Sequence, residues 1–318
     1  MTIPISVSSP VPPQQSSGPI DIRHVRRLFA RPARVAESAF LRREVAGRMF
    51  ERLSLVKLSP QHVIDAGCGE GADLPTLQAM FAGAHLLGLD ASAAMLGNGR
   101  ERQDSALSSM RRLLTKWLAG DAQAGLGSSG ALICGNFAEM PLADNSVDLV
   151  WSNLALHWHP QPDRVFAEWR RVLRVEGLLM FSCFGPDTFK ELRAAFAAVD
   201  DTPHALSFVD MHDLGDMLVH AGFATPVMDM ETITVTYDTA DKLLADARAW
   251  GGNPLATRRR SLLGREGWKR VGDALEQGRR SDGKLALTFE VVYGHAFRPI
   301  PRQTSSGEAI IQWNLGRR

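Results

Sequence analysis

Cysteine is scarce, with three in 318 residues, at Cys68, Cys134 and Cys183. They lie too far apart for a C-x-x-C pair, which excludes a zinc knuckle or a disulfide framework and fits a reducing, cytoplasmic location. Long apolar runs are missing as well. No stretch approaches eighteen apolar residues, so no bilayer-spanning helix is expected. An excess of charge is also lacking. Lys and Arg number 36 against 35 Asp and Glu, and a formal net charge of +1 supplies no global pull toward nucleic acid or a membrane surface. Residues 1–20 lack the apolar core of a secretion signal, and their Pro, Ser and Gln are expected to form a disordered tail. No internal repeat is visible. What remains, 45% hydrophobic and 22% charged, is the makeup of an ordinary globular protein long enough to bury a sizeable core.

Within that ordinary background one segment stands out: Val63-Ile64-Asp65-Ala66-Gly67-Cys68-Gly69-Glu70-Gly71. Its apolar start reads as a buried strand that ends in a bend. Gly67, Gly69 and Gly71 carry no Cβ, so a ligand can approach the backbone there. His85-Leu86-Leu87-Gly88-Leu89 reads as a second, parallel strand with Asp90 at its tip. In open parallel sheets, ligands bind beyond the carboxyl ends of the strands, and a carboxylate at that tip suits a ribose diol. The G-x-G-x-G spacing differs from the G-x-G-x-x-G of dinucleotide sites. Asp65 and Glu70 place two carboxylates by the bend. They would repel a pyrophosphate and suit a ligand carrying an ammonium and a sulfonium, so S-adenosyl-L-methionine is the expected cofactor. A tight turn with no ligand is the alternative.

Around this bend the chain alternates short apolar runs with helical ones, which predicts an α/β fold, a mostly parallel sheet flanked by helices. Strands are expected at 62–66, 85–89, 131–134, 147–152 and 177–184, and helices at Leu74 to Phe81 and Asp163 to Leu173. Residues 101–118 read as an extended helix and Gly120 to Gly130 as a flexible surface loop. Upstream, 21–60 carries an arginine-rich amphipathic stretch, broken at Pro32, expected to lie over the cofactor cleft. The main domain is expected to span 61–298, with substrate-cover insertions at about 187–222 and 239–276 and a tail at 299–318. Within the cover, helices are expected at 187–199, Phe208 to Gly222, 239–250 and near 257–276. Later strands are expected at Ile233 to Tyr237 and Leu285 to Tyr293.

Two further segments carry chemistry. Gly135-Asn136-Phe137-Ala138-Glu139-Met140-Pro141-Leu142 follows the third strand; Asn136 can accept from the adenine amine while Phe137 packs on the ring. Alternatively, Asn136 caps a turn. The fourth strand runs into Trp151-Ser152-Asn153-Leu154-Ala155-Leu156-His157-Trp158, where Asn153 can bond the methionine end of the cofactor. His157 is either a general base or a packed histidine. His157 and His159 have no nearby third ligand, so no metal is expected.

Asp65 to Gly69, Gly135 to Leu142, Trp151 to Leu156, Arg171-Val172-Leu173-Arg174 and Val199-Asp200-Asp201-Thr202-Pro203-His204 together resemble the malonyl-acyl-carrier-protein O-methyltransferases of biotin synthesis, the BioC family. The match runs from about residue 28 to 298. It implies a class I methyltransferase (Rossmann-like) sheet, S-adenosylmethionine as donor, and methylation of the free carboxylate of a malonyl thioester on acyl-carrier protein. A cation is then expected on that carboxylate, with Arg193 and Arg258 to Arg260 as candidates, and Arg258 to Arg260, Arg265, Lys269 and Arg270 as a carrier-docking face. Two departures stand out. No tyrosine occurs around 29–40, and position 157 is His where the family often has Gln. Leu41 to Leu53, Asp213 to Leu218 with Ala221-Gly222-Phe223, and Leu156-His157-Trp158 also resemble a mitochondrial complex I assembly factor regarded as a protein arginine hydroxylase. That activity, or methylation of another small-molecule acceptor, is the alternative reading.

Overall fold

The computed structural model describes residues 19–101, 130–250 and 252–301. Residues 1–18 and 302–318 of the tails, and all but the end residues of the expected 101–118 helix and 120–130 loop, lie outside the described residues.

β1 (His62–Ala66), β2 (His85–Asp90), β3 (Ala131–Cys134), β4 (Val147–Ser152) and β5 (Leu173–Phe184) form the parallel part of the sheet. β6 (Ala224–Tyr237) and β7 (Leu285–Phe297) complete it, and β7 runs antiparallel between β5 and β6. Among the described residues the sheet has seven strands in the order β3-β2-β1-β4-β5-β7-β6. The chain reverses direction in strand order at β1, where the next strand lies on one side and β4 on the other. That is the topological switch point, where an open α/β sheet leaves a crevice for a ligand.

Strands buried on both faces read as continuous apolar runs, because neighbouring residues feed opposite cores. Val63, Leu149, Trp151, Leu178 and Met180 pack on one face with α3 (Ala39–Ser54) and α4 (Leu74–Met80). Ile64, Val150, Leu179 and Phe181 pack on the other. There they meet Val165, Phe166, Trp169 and Val172 of α6 (Pro162–Val172), whose helical spacing makes one buried stripe. Pro162 occupies the first turn of α6, where a missing N–H costs nothing. The described part of α5 covers 93–101.

Near the start, α1 (Ile22–Phe29) and α2 (Pro32–Ala36) are separate helices, with Pro32 opening the second. The cover is built by α7 (Lys190–Ala197), α8 (Met211–His220), α9 (Ala240–Ala249) and α10 (Gly264–Gln277). Gly222, just beyond α8, has φ +84° and lets the chain turn out of the helix.

Several boundaries differ from expectation: β5 starts at Leu173 and not at 177, and β7 runs on to Phe297 past Tyr293. β6 begins at Ala224, well before Ile233, because it is an edge strand in which half-buried residues alternate with exposed ones, Val227 and Met230 among them. Its pairing with β7, not an apolar run, defines it. The basic helix starts at Gly264 and not near 257. Arg258 and Arg259 instead donate to the carbonyls of Leu255 and Leu262. No helix among the described residues is long and apolar enough to cross a membrane.

Candidate active site

The glycine bend closes over the tips of β1, β2 and β4. Gly67, Gly69 and Gly71 have φ of +84°, +56° and +74°, a region that side chains other than glycine's occupy only with strain. A Cβ on Gly67 would lie 2.3 Å from that of Ala155, so the loop after β4 is pressed against the bend. The Gly67 and Cys68 amides donate to Leu89 O at 2.7 and 3.1 Å, tying the bend to β2.

Three carboxyl groups converge on this bend. Asp65 is buried in β1, opposite Gly88 and Trp151 in register, and receives no hydrogen bond among the described residues. Burial, with Asp73 and Asp90 nearby, pushes its carboxyl well above the usual range. Asp90 accepts from Gly69 N at 2.9 Å and Ser92 N at 2.7 Å; burial raises it too, against those two bonds. Each Asp90 oxygen keeps a further lone pair for a hydroxyl.

Asp73, just before α4, was not foreseen. It accepts from Trp151 Nε1 at 3.0 Å and Asn153 Nδ2 at 3.1 Å, and burial raises its carboxyl despite both bonds. Arg42 supplies a nearby positive charge, its guanidinium donating to Val35 O and Ser38 Oγ at 2.5 and 3.0 Å. Asp73 stands at the helix entrance before Leu74-Pro75, a start signal that could have flagged it. Nothing local in the sequence flags Arg42.

Several expected residues have other duties. Glu70 bonds the Asn98 side chain, so it pins α5 to the loop and leaves Asp73 as the second acid beside Asp65. Asn153 donates to Arg42 O and Asp73 and accepts from Ser182 Oγ at 3.1 Å, which makes it a bracket between β4, β5 and α3. Asn136 Oδ1 accepts from Ala138 N at 3.0 Å, the turn-capping alternative. Phe137 follows it. Its carbonyl accepts from Trp169 Nε1 at 3.1 Å, and its ring lies 3.8 Å from where a Gly67 Cβ would sit, placing it beside the bend.

The Arg193 guanidinium donates to the carbonyls of Thr188 and Pro186, holding the turn before α7. Arg258 donates to Leu255 O, with Asp21 3.8 Å away. Arg259 pairs with Asp200 at 2.6 Å. Burial lowers the pKa of His157 to about 3, which leaves a neutral ring at pH 7 and favours the packed alternative over the general base.

The loop that Ala155 presses against the bend continues through His157 and Trp158, which line a cavity of ≈ 170 Å³ together with Phe184 and residues of the cover such as Arg248 and Trp250. The edge-on contact of Trp158 with Phe29, at 5.1 Å between centroids, and the 3.0 Å bond from Ser92 Oγ to Phe29 O lay α1 across the strand tips. His204 forms another part of the wall. It stacks on Phe196 at 4.1 Å and bonds Asp200 at 2.8 Å, which is the structural use of the Asp-x-x-Pro-His stretch.

Residues 64–181 match the family model described as a methyltransferase domain. A malonyl-[acyl-carrier protein] O-methyltransferase of Laribacter hongkongensis is 44% identical over 92% of this chain and 96% of its own length. The chain belongs to the malonyl-[acyl-carrier protein] O-methyltransferase family. The proteins of the same name from Gallionella capsiferriformans and Legionella pneumophila are 44% and 36% identical over 92% and 85% of this chain, covering 96% and 88% of theirs. Among solved structures, the YcgJ protein of Bacillus subtilis aligns with a TM-score of 0.53 at 13% identity, over 81% of this chain and all of its own. That likeness establishes the class I methyltransferase fold. A methyltransferase domain of this kind uses S-adenosyl-L-methionine. The geometry fits the group: three converging carboxyls, each raised by burial, suit a ligand that brings positive charge.

Proposed function

We propose that this methyltransferase esterifies the free carboxylate of a malonyl thioester borne by acyl-carrier protein, an early step of biotin synthesis. The observation that carries the reading is the convergence of Asp65, Asp73 and Asp90 on a Cβ-free bend, with the loop pressed against that bend running into the lining of an apolar cavity. The shared name of the quoted relatives supports the acceptor.

Asp65 and Asp73 would hold the positively charged end of the donor, Gly67 and Gly69 would admit it to the backbone, Asp90 would take the ribose hydroxyls, and Asn136 and Phe137 would frame adenine. When bound, S-adenosylmethionine supplies an electrophilic methyl on a sulfonium that departs as a neutral thioether. A malonyl carboxylate is already ionised at pH 7, so the protein has no proton to remove. This agrees with the neutral His157. The cover and α1 keep water out and fix the line of approach. Positioning of this kind can supply roughly 7–11 kcal/mol. The exposed Arg265, Lys269 and Arg270 on α10 would meet an acidic carrier.

Rescue of a biotin auxotroph lacking its own malonyl methyltransferase tests the proposal, with labelled methyl transfer to malonyl-carrier protein as the direct assay. Absence of both, in protein that still binds S-adenosylhomocysteine, would rule out this acceptor.

A further inference from the structure

Two residues of the cavity lining carry unused donors. Among the described residues, His157 Nε2 and Trp250 Nε1 are buried without a hydrogen-bond partner, and both residues line the cavity. A buried polar group left unpaired costs free energy, so two around one cavity call for an oxygen-bearing occupant. The proton on His157 can be placed. The Phe184 amide donates to Nδ1 at 3.4 Å, so Nδ1 is an acceptor and the neutral ring carries its hydrogen on Nε2. Both rings pack on Phe184, with centroid separations of 4.7 Å for His157 and 6.1 Å for Trp250, so the two residues share one aromatic cluster.

We infer that His157 Nε2–H and Trp250 Nε1–H are the acceptor-binding donors, receiving the carboxylate oxygens of the malonyl group. The inference rests on the proposed malonyl acceptor and adds the residues that seat it. Their neutrality has a chemical reason. Attack of a carboxylate oxygen on the sulfonium methyl forms the C–O bond as the C–S bond breaks, and both charges disappear. A cation held against the carboxylate would stabilise the charged ground state more than the charge-dispersed transition state. Neutral N–H donors orient the oxygens at less cost to attack. Arg248, exposed with its guanidinium 4.7 Å from the Trp268 ring, leaves the cation on the outer lining.

The test compares binding of malonyl-pantetheine and acetyl-pantetheine to the S-adenosylhomocysteine-loaded protein, since only the first has the carboxylate. Trp250→Phe removes one N–H and keeps an aromatic ring; His157→Phe removes the other, and His157→Gln restores an N–H. The parent should prefer malonyl, and each Phe variant should lose about tenfold or more of that preference while keeping its affinity for S-adenosylhomocysteine. The Gln variant should recover most of it. A preference unchanged in both Phe variants overturns the inference. The ratio is insensitive to a general loss of folded protein, so a destabilised variant still decides. A parent that prefers neither thioester and transfers no methyl to malonyl-carrier protein defeats the proposed function instead.

Discussion

Asp65→Asn should make the empty enzyme more stable than its parent, and increasingly so as pH rises. Asp65 is buried beside two other acids and accepts no hydrogen bond among the described residues, so its folded carboxyl gives up its proton at a higher pH than the 3.8 of the unfolded chain. Between those two values the folded state binds more protons than the unfolded state, and stability falls as pH rises. The slope is at most about 1.4 kcal/mol per pH unit, or roughly 3–5 °C in melting temperature for a chain of this size. The contribution is complete below the unfolded value and is lost as pH climbs through the raised folded one. Asparagine does not ionise, so the variant lacks that slope. Donor binding should move the other way. At a hundredfold excess over Kd, S-adenosylmethionine adds about 2.7 kcal/mol to the parent, which is roughly 5–11 °C, and the variant should show almost none of it. Melting curves from pH 5 to 8, with and without donor, measure both effects. Parallel pH profiles for the two empty proteins would refute the reasoning, as would a parent that gains on the variant toward pH 8.

Gly67→Ala should cost about 1–2 kcal/mol for its left-handed backbone and about 1–3 kcal/mol for the collision with Ala155; a lowered urea midpoint and loss of donor binding check it. Asp73→Ala should strand the Trp151 indole N–H, at about 1–3 kcal/mol, and remove one of the bonds that hold the Asn153 amide. Asp73→Asn keeps an acceptor oxygen and should lose much less in the same urea titration. Reversing Arg265, Lys269 and Arg270 together to Glu should slow turnover of malonyl-carrier protein and flatten its salt dependence while sparing malonyl-pantetheine. Equal effects on both substrates would remove α10 from carrier docking.

Some features were legible before any coordinates because they are local. The bend announces itself through glycines whose φ only glycine adopts cheaply, and the strands through apolar runs that feed two cores at once. The α6 stripe of Val165, Phe166, Trp169 and Val172 follows from helical periodicity alone. With the Trp151 to Leu156 stretch, these were enough to point to the fold, the donor and the family. The partners of long polar side chains are a different matter, since they depend on which elements meet. The Arg193 guanidinium meets the carbonyls of the turn at Pro186 to Thr188, which no local motif announces. Asn153 meets Asp73 and Ser182 at the two ends of its amide, contacts equally invisible in the sequence. Trp250, far along the chain and beside a glycine pair, had no motif to mark it. Only packing brings Trp250 to the cavity with His157 and leaves both N–H groups without a partner among the described residues. Backbone conformation and burial pattern are written residue by residue, whereas a hydrogen-bond partner is settled by the three-dimensional contest among all the groups within reach.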